Sequence, residues 1–479
     1  MRSCWLAAIL VLTAPAQSIQ DRALHTPAYS WLQELTDSIG PRLTGSPNAA
    51  RASAWALTRM KEIGLENVQL EPWTLRSGWE RGRAEAELTT PAHLKLNITS
   101  YGWTGSTPDA GIEADVVEVH RGALADELRN AAAWTGKIVF VSSRGPKPAN
   151  SLAVYSQFPD LLAAAEQAHA AAVIFRDLRP GSMLTHTGPA NFSAGDTAYN
   201  IPVLDIADEH QTLIERLLEK SAPVGLRLNV RNRFLPGPVE SANVSGEIPG
   251  SEHPEQVVLL GAHLDSWDLG TGAIDDGTGV AAVLGAAEAI KLSGRKPRRT
   301  IRFVLFTGEE QGLLGSRAWV KRHAAEISNL VCALVLDWGQ GPIAALPVAG
   351  HDELKSDLAP LVELLNGVQK FRLADDFLTF TDPYAFTLAG VPGLAFYQDS
   401  RDYTLLGHSA ADTYDKVDAQ VLARNTATLA VAGLWIADSP ERVGTVWPSA
   451  EIPRHLTDLK QRPMLEIFGL WPVSSTRPR

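Results

Sequence analysis

The run VVLLGA, Val257 to Ala262, is followed at once by His-Leu-Asp-Ser-Trp-Asp and then by a loop of Gly, Thr and Asp that ends at Val280. An unbroken apolar run of this kind reads as a strand buried on both faces, which requires a parallel sheet with helices on either side. VAAVLGAAEAIKL, Val280 to Leu292, supplies such a helix. The His and Asp side chains therefore fall where the carboxyl end of a strand opens, the crevice in which open α/β sheets bind ligands.

The same texture runs on from Asn243: TIRFVLFTGEE, the helix GLLGSRAWVKRHAAE, LVCALVLDWG, VPGLAFYQD and a last helix, VDAQVLARNTATLAVAGLWIAD. Alternating strands and helices predict an α/β fold, a mostly parallel sheet with helices on both faces. A chain of 479 residues exceeds what one core usually serves, so a second domain is expected. The texture changes near Gly111, where VVEV, KIVFVSS, AAVIFRD, IPVLDIA and VGLRLNV read as short strands of a separate small module. The division expected is residues 17–110 with 236–440 as one body, 111–235 as an insert, and 441–479 as a tail of unassigned role. The module carries no His or acidic cluster that reads as a site, so packing or covering is its expected part.

The opening MRSCWLAAILVLTAPAQS has one Arg, an apolar run too short to span a bilayer, and Ala-x-Ala at Ala14 to Ala16, the pattern of a secretory leader over residues 1–16. A secreted or periplasmic protein with no membrane anchor is expected. Loss of the leader removes Cys4 and leaves Cys332, in an apolar strand, as a core thiol. A net charge of −11 argues against a nucleic-acid partner, because phosphate binding needs a basic face. RKPRR, Arg295 to Arg299, is the one basic run and reads as a solvated helix exit. Three Asn-x-Ser/Thr sequons stand at Asn97, Asn191 and Asn243.

Ligand-type side chains gather at four strand ends: His263 and Asp265 after VVLLGA, Glu309 and Glu310 after RFVLFTG, Asp337 after VCALVL, and His408 beyond LAFYQD. Asp275 lies in the loop after the first. Two imidazoles and three carboxylates suit a pair of divalent ions, since one carboxylate can bridge while each His serves one ion. Nitrogen and oxygen donors without thiolate point to zinc first, with manganese or cobalt as substitutes. Singly each residue has an ordinary reading: Glu309 and Glu310 opening a helix, Asp337 as a cap, His408 in a loop. A G-x-S-x-G elbow and an H-E-x-x-H helix are both missing.

HLDSWDLGTGAIDDGTGV, TGEEQGLLGS, the Asp337 strand end, TDPYAFTLAGVPG and GHSAADTYDKV together resemble the co-catalytic zinc exopeptidase family of aminopeptidases, and within it the carboxypeptidase Q-like branch. The resemblance runs from the N-terminal helices to about Asp438, and the middle module resembles the protease-associated domain inserted in some members. It implies a phosphorylase/hydrolase-like α/β fold, two Zn2+ per chain, a short peptide or dipeptide as substrate, and a possible homodimer. Carried over by position, Asp275 bridges the metals, His263 and Asp337 complete one sphere, Glu310 and His408 complete the other, and Glu309 is the general base. Asp265 is expected to orient His263 through its far ring nitrogen. Relatives also carry a cis peptide after the bridging Asp, here Asp275 to Asp276.

Two positions depart from the family pattern. Pro383 stands where many members have a His, leaving Asp382 to cap the following helix. Gly407 stands where some aminopeptidases have an oxyanion-stabilising Tyr, with Tyr403 and Tyr397 as nearby candidates. Two other functions stay open: a non-catalytic receptor or scaffold on the same fold, and a single-zinc glutaminyl cyclase-like acyl transferase.

Overall fold

The computed structural model describes residues 19–145, 151–177, 179–185, 187–188, 198–375 and 380–471. The leader read at residues 1–16 and the sequon at Asn191 lie outside them. Six strands form the large sheet: β1 (Glu66–Leu75), β2 (Val239–Ile248), β3 (His253–His263), β4 (Arg299–Phe306), β5 (Leu330–Val335) and β6 (Gly393–Ala395), in the order β1-β2-β4-β3-β5-β6. From β4 to β6 all pairs are parallel, and β1 and β2 add an antiparallel edge.

VVLLGA is the middle of β3, and every residue from Val257 to His263 is buried. Side chains alternate across a strand, so Val258 and Leu260 enter one core while Val257 and Leu259 enter the other with Trp319 and Phe386. The longest helices in the first core are α1 (Pro47–Ile63), α2 (Thr278–Leu292) and α3 (Ala419–Asp438). α1 starts where Ser46 accepts a hydrogen bond from the Ala49 N–H, with Pro47 at its first position, and stops at Gly64 in the left-handed region. α2 is apolar on almost every side and is correspondingly buried. α3 lies directly on the sheet: a Cβ on Gly433 would stand 2.6 Å from Leu260. Cys332 is buried in β5 as a free thiol. The basic run is structural, since Arg295 and the Arg298 N–H both bond the Asp438 carboxylate at the end of α3.

A second, eight-stranded sheet has four parallel strands, Ile112–His120, Ile138–Ser142, Ala172–Arg176 and Val203–Ile206, flanked by antiparallel ones. Three flanking strands, Ala84–Thr90, Leu94–Leu96 and Ile98–Ser100, come from ahead of residue 111. Alternation in AEAELTT identifies a half-buried strand but not the sheet it joins. The chain passes between the two sheets through Gly78–Glu80 and Arg233–Leu235, which pair antiparallel as a two-stranded ribbon. Asn243 is buried in β2, bonded to Gly315 and Thr307, so that sequon offers no room for a glycan. No helix of the described residues is long and apolar enough to cross a membrane.

The tail forms two short helices, Ile452–Asp458 and Arg462–Ile467. Trp447, Ile452, Leu456, Leu465 and Phe468 close an apolar cluster over Leu313 and Tyr384, with Phe380 against it.

Candidate active site

β3, β4 and β5 end side by side; Glu309, Glu310 and Asp337 leave those ends into one pocket, and His263 is buried beside Asp275 and Asp337 beneath it. His408 arrives from further along, after β6 and the short helix Arg401–Leu406. The five residues read as ligands converge. The Asp275 carboxylate lies between the two imidazoles, with Oδ1 3.0 Å from His263 Nε2 and Oδ2 2.9 Å from His408 Nε2. Asp337 Oδ1 is 3.3 Å from His263 Nε2, and Glu310 Oε2 is 3.2 Å from His408 Nε2. Candidate ligand atoms of His263, Asp275 and Glu310 lie within 4.8 Å of one another, as do those of His263, Asp276 and Asp337. The Asp275–Asp276 peptide is cis.

Asp276 is committed to the backbone instead: Oδ2 accepts from the His263 N–H and Oδ1 from the Gly279 N–H at the head of α2. Asp265 reaches His263 differently from the expected way. The far nitrogen, Nδ1, faces the Asp265 main-chain oxygen at 3.0 Å, and the Asp265 carboxylate is 3.7 Å away. That carboxylate accepts from the Thr44 hydroxyl at 2.7 Å and from the Glu309 N–H at 3.3 Å, so it ties the β3 end to the β4 end.

The loop between His263 and Asp275 is held by a residue that sequence reading passed over. Arg42 is fully buried and donates from Nε to Leu264 O, from Nη1 to Thr271 O and from Nη2 to Gly272 O, at 2.7, 2.7 and 2.8 Å. Gly272 has φ +62, and a Cβ there would stand 2.3 Å from Ser266 Cβ and 2.8 Å from the Arg42 guanidinium. Asp412 was likewise not singled out. Its two oxygens accept from the Ile274 and Asp275 N–H groups at 2.6 and 3.2 Å.

The electrostatics mark a crowded anionic site. Burial alone would raise the Asp275 carboxyl, but hydrogen bonds from His263 and His408 hold it well below the usual range. Burial would lower His263, yet Asp337 and the neighbouring carboxylates keep its imidazole well above the ordinary value; Glu310 does the same for His408. Burial pushes Glu310 up to about 7 against the opposing His408, and burial with the Asp337 charge raises Glu309 well above the carboxylate range. Asp382 does not cap its helix. It faces inward, where burial pushes it up to about 8 against the opposing His263, with Asp337 and Asp265 adding to the rise, and both its oxygens lack a hydrogen-bond partner among the described residues.

The pocket over these groups has a volume of about 150 Å³ and is walled by Trp338, Phe380, Thr381 and Tyr403. Tyr403 donates its hydroxyl to Asp275 Oδ2 at 2.9 Å and stacks on Trp338 at 5.9 Å between ring centres. Tyr397 is in a two-residue strand of the small sheet with Ile343–Pro347 and is not among the described lining residues. Trp338 and Arg42 left no readable signal, since each matters through partners distant in sequence.

Residues 243–432 match the profile of Peptidase family M28. Carboxypeptidase Q of Bos taurus is 34% identical over 419 residues, covering 86% of this chain and 86% of that protein. The Homo sapiens protein of the same name is 33% identical over 419 residues, with the same shares covered. A solved Peptidase M28 precursor from Shewanella amazonensis SB2B superposes with TM-score 0.80 at 31% identity, over 92% of this chain and 100% of that one. BSAP, a zinc aminopeptidase from Bacillus subtilis, shares the fold with TM-score 0.66 at 20% identity, over 88% of this chain and 97% of that one. The chain belongs to peptidase family M28 and is a metallo-exopeptidase.

Proposed function

We propose that the protein hydrolyses the N-terminal peptide bond of short peptides or dipeptides with two Zn2+ held by His263, Asp337, Asp275, Glu310 and His408. The observation that carries this is the division of Asp275, one oxygen toward each His at 3.0 and 2.9 Å, as a bridging carboxylate requires. The donor set fits divalent cations. Four carboxyl groups, Asp275, Glu309, Glu310 and Asp337, line one pocket, a fifth, Asp265, is buried against the Glu309 N–H, and Glu310 Oε1 is buried without a hydrogen-bond partner among the described residues. Buried carboxylates in such number need cations to ionise together.

Bound ions supply Lewis acidity and make water a nucleophile at neutral pH. Glu309 takes the proton released by that water and passes it to the leaving amine, with its loop held by Asp265 through the Glu309 N–H. Asp265 also holds His263 in orientation through its main-chain oxygen. Tyr403, on the pocket wall, is the phenol placed to donate to the developing oxyanion once its hydroxyl turns from Asp275 Oδ2. The acidic floor suits the ammonium of a free N-terminus, and the aromatic wall suits the side chain of the first residue. The leader supports a secreted or periplasmic location, the eight-stranded module is read as a protease-associated domain, and a homodimer is part of the same reading.

The test is hydrolysis of a dipeptide, a tripeptide, an N-acetylated dipeptide and an N-terminal Gln peptide, with metal counted in the same sample. Two zinc equivalents and cleavage of free-amine substrates alone is the expected result. Cyclisation of the Gln peptide with one zinc, or two metals without turnover, replaces this reading by the cyclase or the scaffold.

A further inference from the structure

The loop that carries His408 is gripped by the eight-stranded module on the far side of the pocket. Arg179 donates from Nε to Thr404 O at 3.0 Å and from Nη1 to Gly407 O at 2.7 Å. On the other flank Thr185 makes an antiparallel bridge with Ser409. Arg179 and Thr185 are joined beneath by Asp177, which is buried: its carboxylate accepts from the Arg179 N–H at 3.0 Å and from the Thr185 hydroxyl at 2.7 Å. Asp177 directly follows the parallel strand Ala172–Arg176, so the grip rests on the module's own sheet. The His408 ring is also braced, edge-on to Trp267 at 6.1 Å, and Trp267 in turn meets Trp103 of the module at 6.3 Å.

His408 needs such support because its φ is +58, in the left-handed region that a residue with a Cβ enters at a cost. The Gly407 carbonyl and the His408 nitrogen belong to one rigid peptide plane. A donor that holds this carbonyl fixes one side of the torsion that aims the imidazole, and the bridge from Thr185 to Ser409 holds the other. We infer that Arg179 is a positioning residue for His408, so that the inserted module, which contributes no ligand in our reading, helps set the second metal sphere. The inference rests on the proposed di-zinc reading.

The experiment compares both stepwise zinc affinities, by chelator competition on the full-length protein, for wild type, Arg179→Ala, Arg179→Lys and His408→Ala, and for Arg179→Ala combined with His408→Ala. Thermal unfolding of each metal-free protein is followed in parallel. Arg179→Ala should weaken one zinc equivalent by about 10- to 100-fold, the range for partners that orient ligands, and leave the other within about twofold. Arg179→Lys, which keeps a cationic donor, should recover part of the loss. In the His408→Ala background the Arg179 change should have no further effect on zinc, because the residue acts through that His. Unchanged affinities, equal loss at both sites, or a full effect without His408 would each overturn the inference. Should Arg179→Ala fail to fold, Arg179→Gln is measured in the same cycle. Wild-type protein that holds fewer than two zinc ions would instead bring down the di-zinc reading, and the inference with it.

Discussion

At the scale of single residues, the proposed function gives the adjacent pair Glu309 and Glu310 two different tasks, proton transfer and metal binding. Glu310 is the member within 3.2 Å of His408, while Glu309 is tied through its N–H to Asp265 at the neighbouring strand end. Both line the pocket. A carboxyl that only moves a proton can lose its charge without unseating a metal, so Glu309→Gln should keep both zinc equivalents. Its kcat should fall by about 100- to 10,000-fold, the usual worth of a general base. Paired zinc analysis and steady-state kinetics check this. Loss of one zinc equivalent in that variant would show that the two glutamates have exchanged parts.

At the scale of elements, the site is a set of strand ends joined by loops, and the two kinds of part were unequally legible in the sequence. An apolar run and the residue that ends it are local facts, which is why β3, β4 and β5 and the side chains at their ends could be read directly. Arg42 could not, because the carbonyls it binds lie 222 to 230 residues away and its own surroundings, GPRLTGS, read only as a break between helices. Asp382 misled for the same reason. Its place before Pro383 is that of a helix cap, but its side chain turns into the site, which only the packing of that helix decides. Nor could the membership of Ala84–Thr90 in the eight-stranded sheet be read, because strand periodicity carries no information about which sheet a strand joins.

Arg42 also allows an element-scale test. Its guanidinium is the buried cation facing Asp412, Asp265, Asp276 and Asp275, and it holds both ends of the loop between His263 and Asp275. Arg42→Met keeps the length of the side chain and removes the charge and the donors. Stranding buried carboxylates and carbonyls in this way should lower stability by about 3 to 5 kcal/mol. Denaturant unfolding of metal-free protein measures it, and a change within about 0.5 kcal/mol, the scale of ordinary surface substitutions, would mean that the loop holds its shape without the Arg.

At the scale of the whole molecule, the tail that showed no sequence period is joined to the peptidase body by a stack of rings. Trp447 of the tail lies face to face with His351 at 4.1 Å and with His455 at 4.3 Å. His351 is completely buried, and that burial lowers its imidazole to about 4 although Glu353 Oε1 stands 3.4 Å from Nδ1; nearby His455 adds to the lowering. An unfolded chain takes up this proton near pH 6.5, whereas the folded protein resists until about pH 4. The stability owed to the neutral ring is therefore complete above pH 6.5 and drains away as pH falls from there toward 4, by up to about 3 kcal/mol at 1.36 kcal/mol per unit. His263 and His408 titrate under other influences, so the reading must come from a difference between variants. Urea unfolding of metal-free wild type and His351→Phe should give curves that separate between pH 7 and pH 4.5, with the Phe variant losing less stability on acidification. Parallel curves would mean that His351 accepts the proton as readily in the folded protein as in the unfolded chain, and that docking of the tail is not what keeps it neutral.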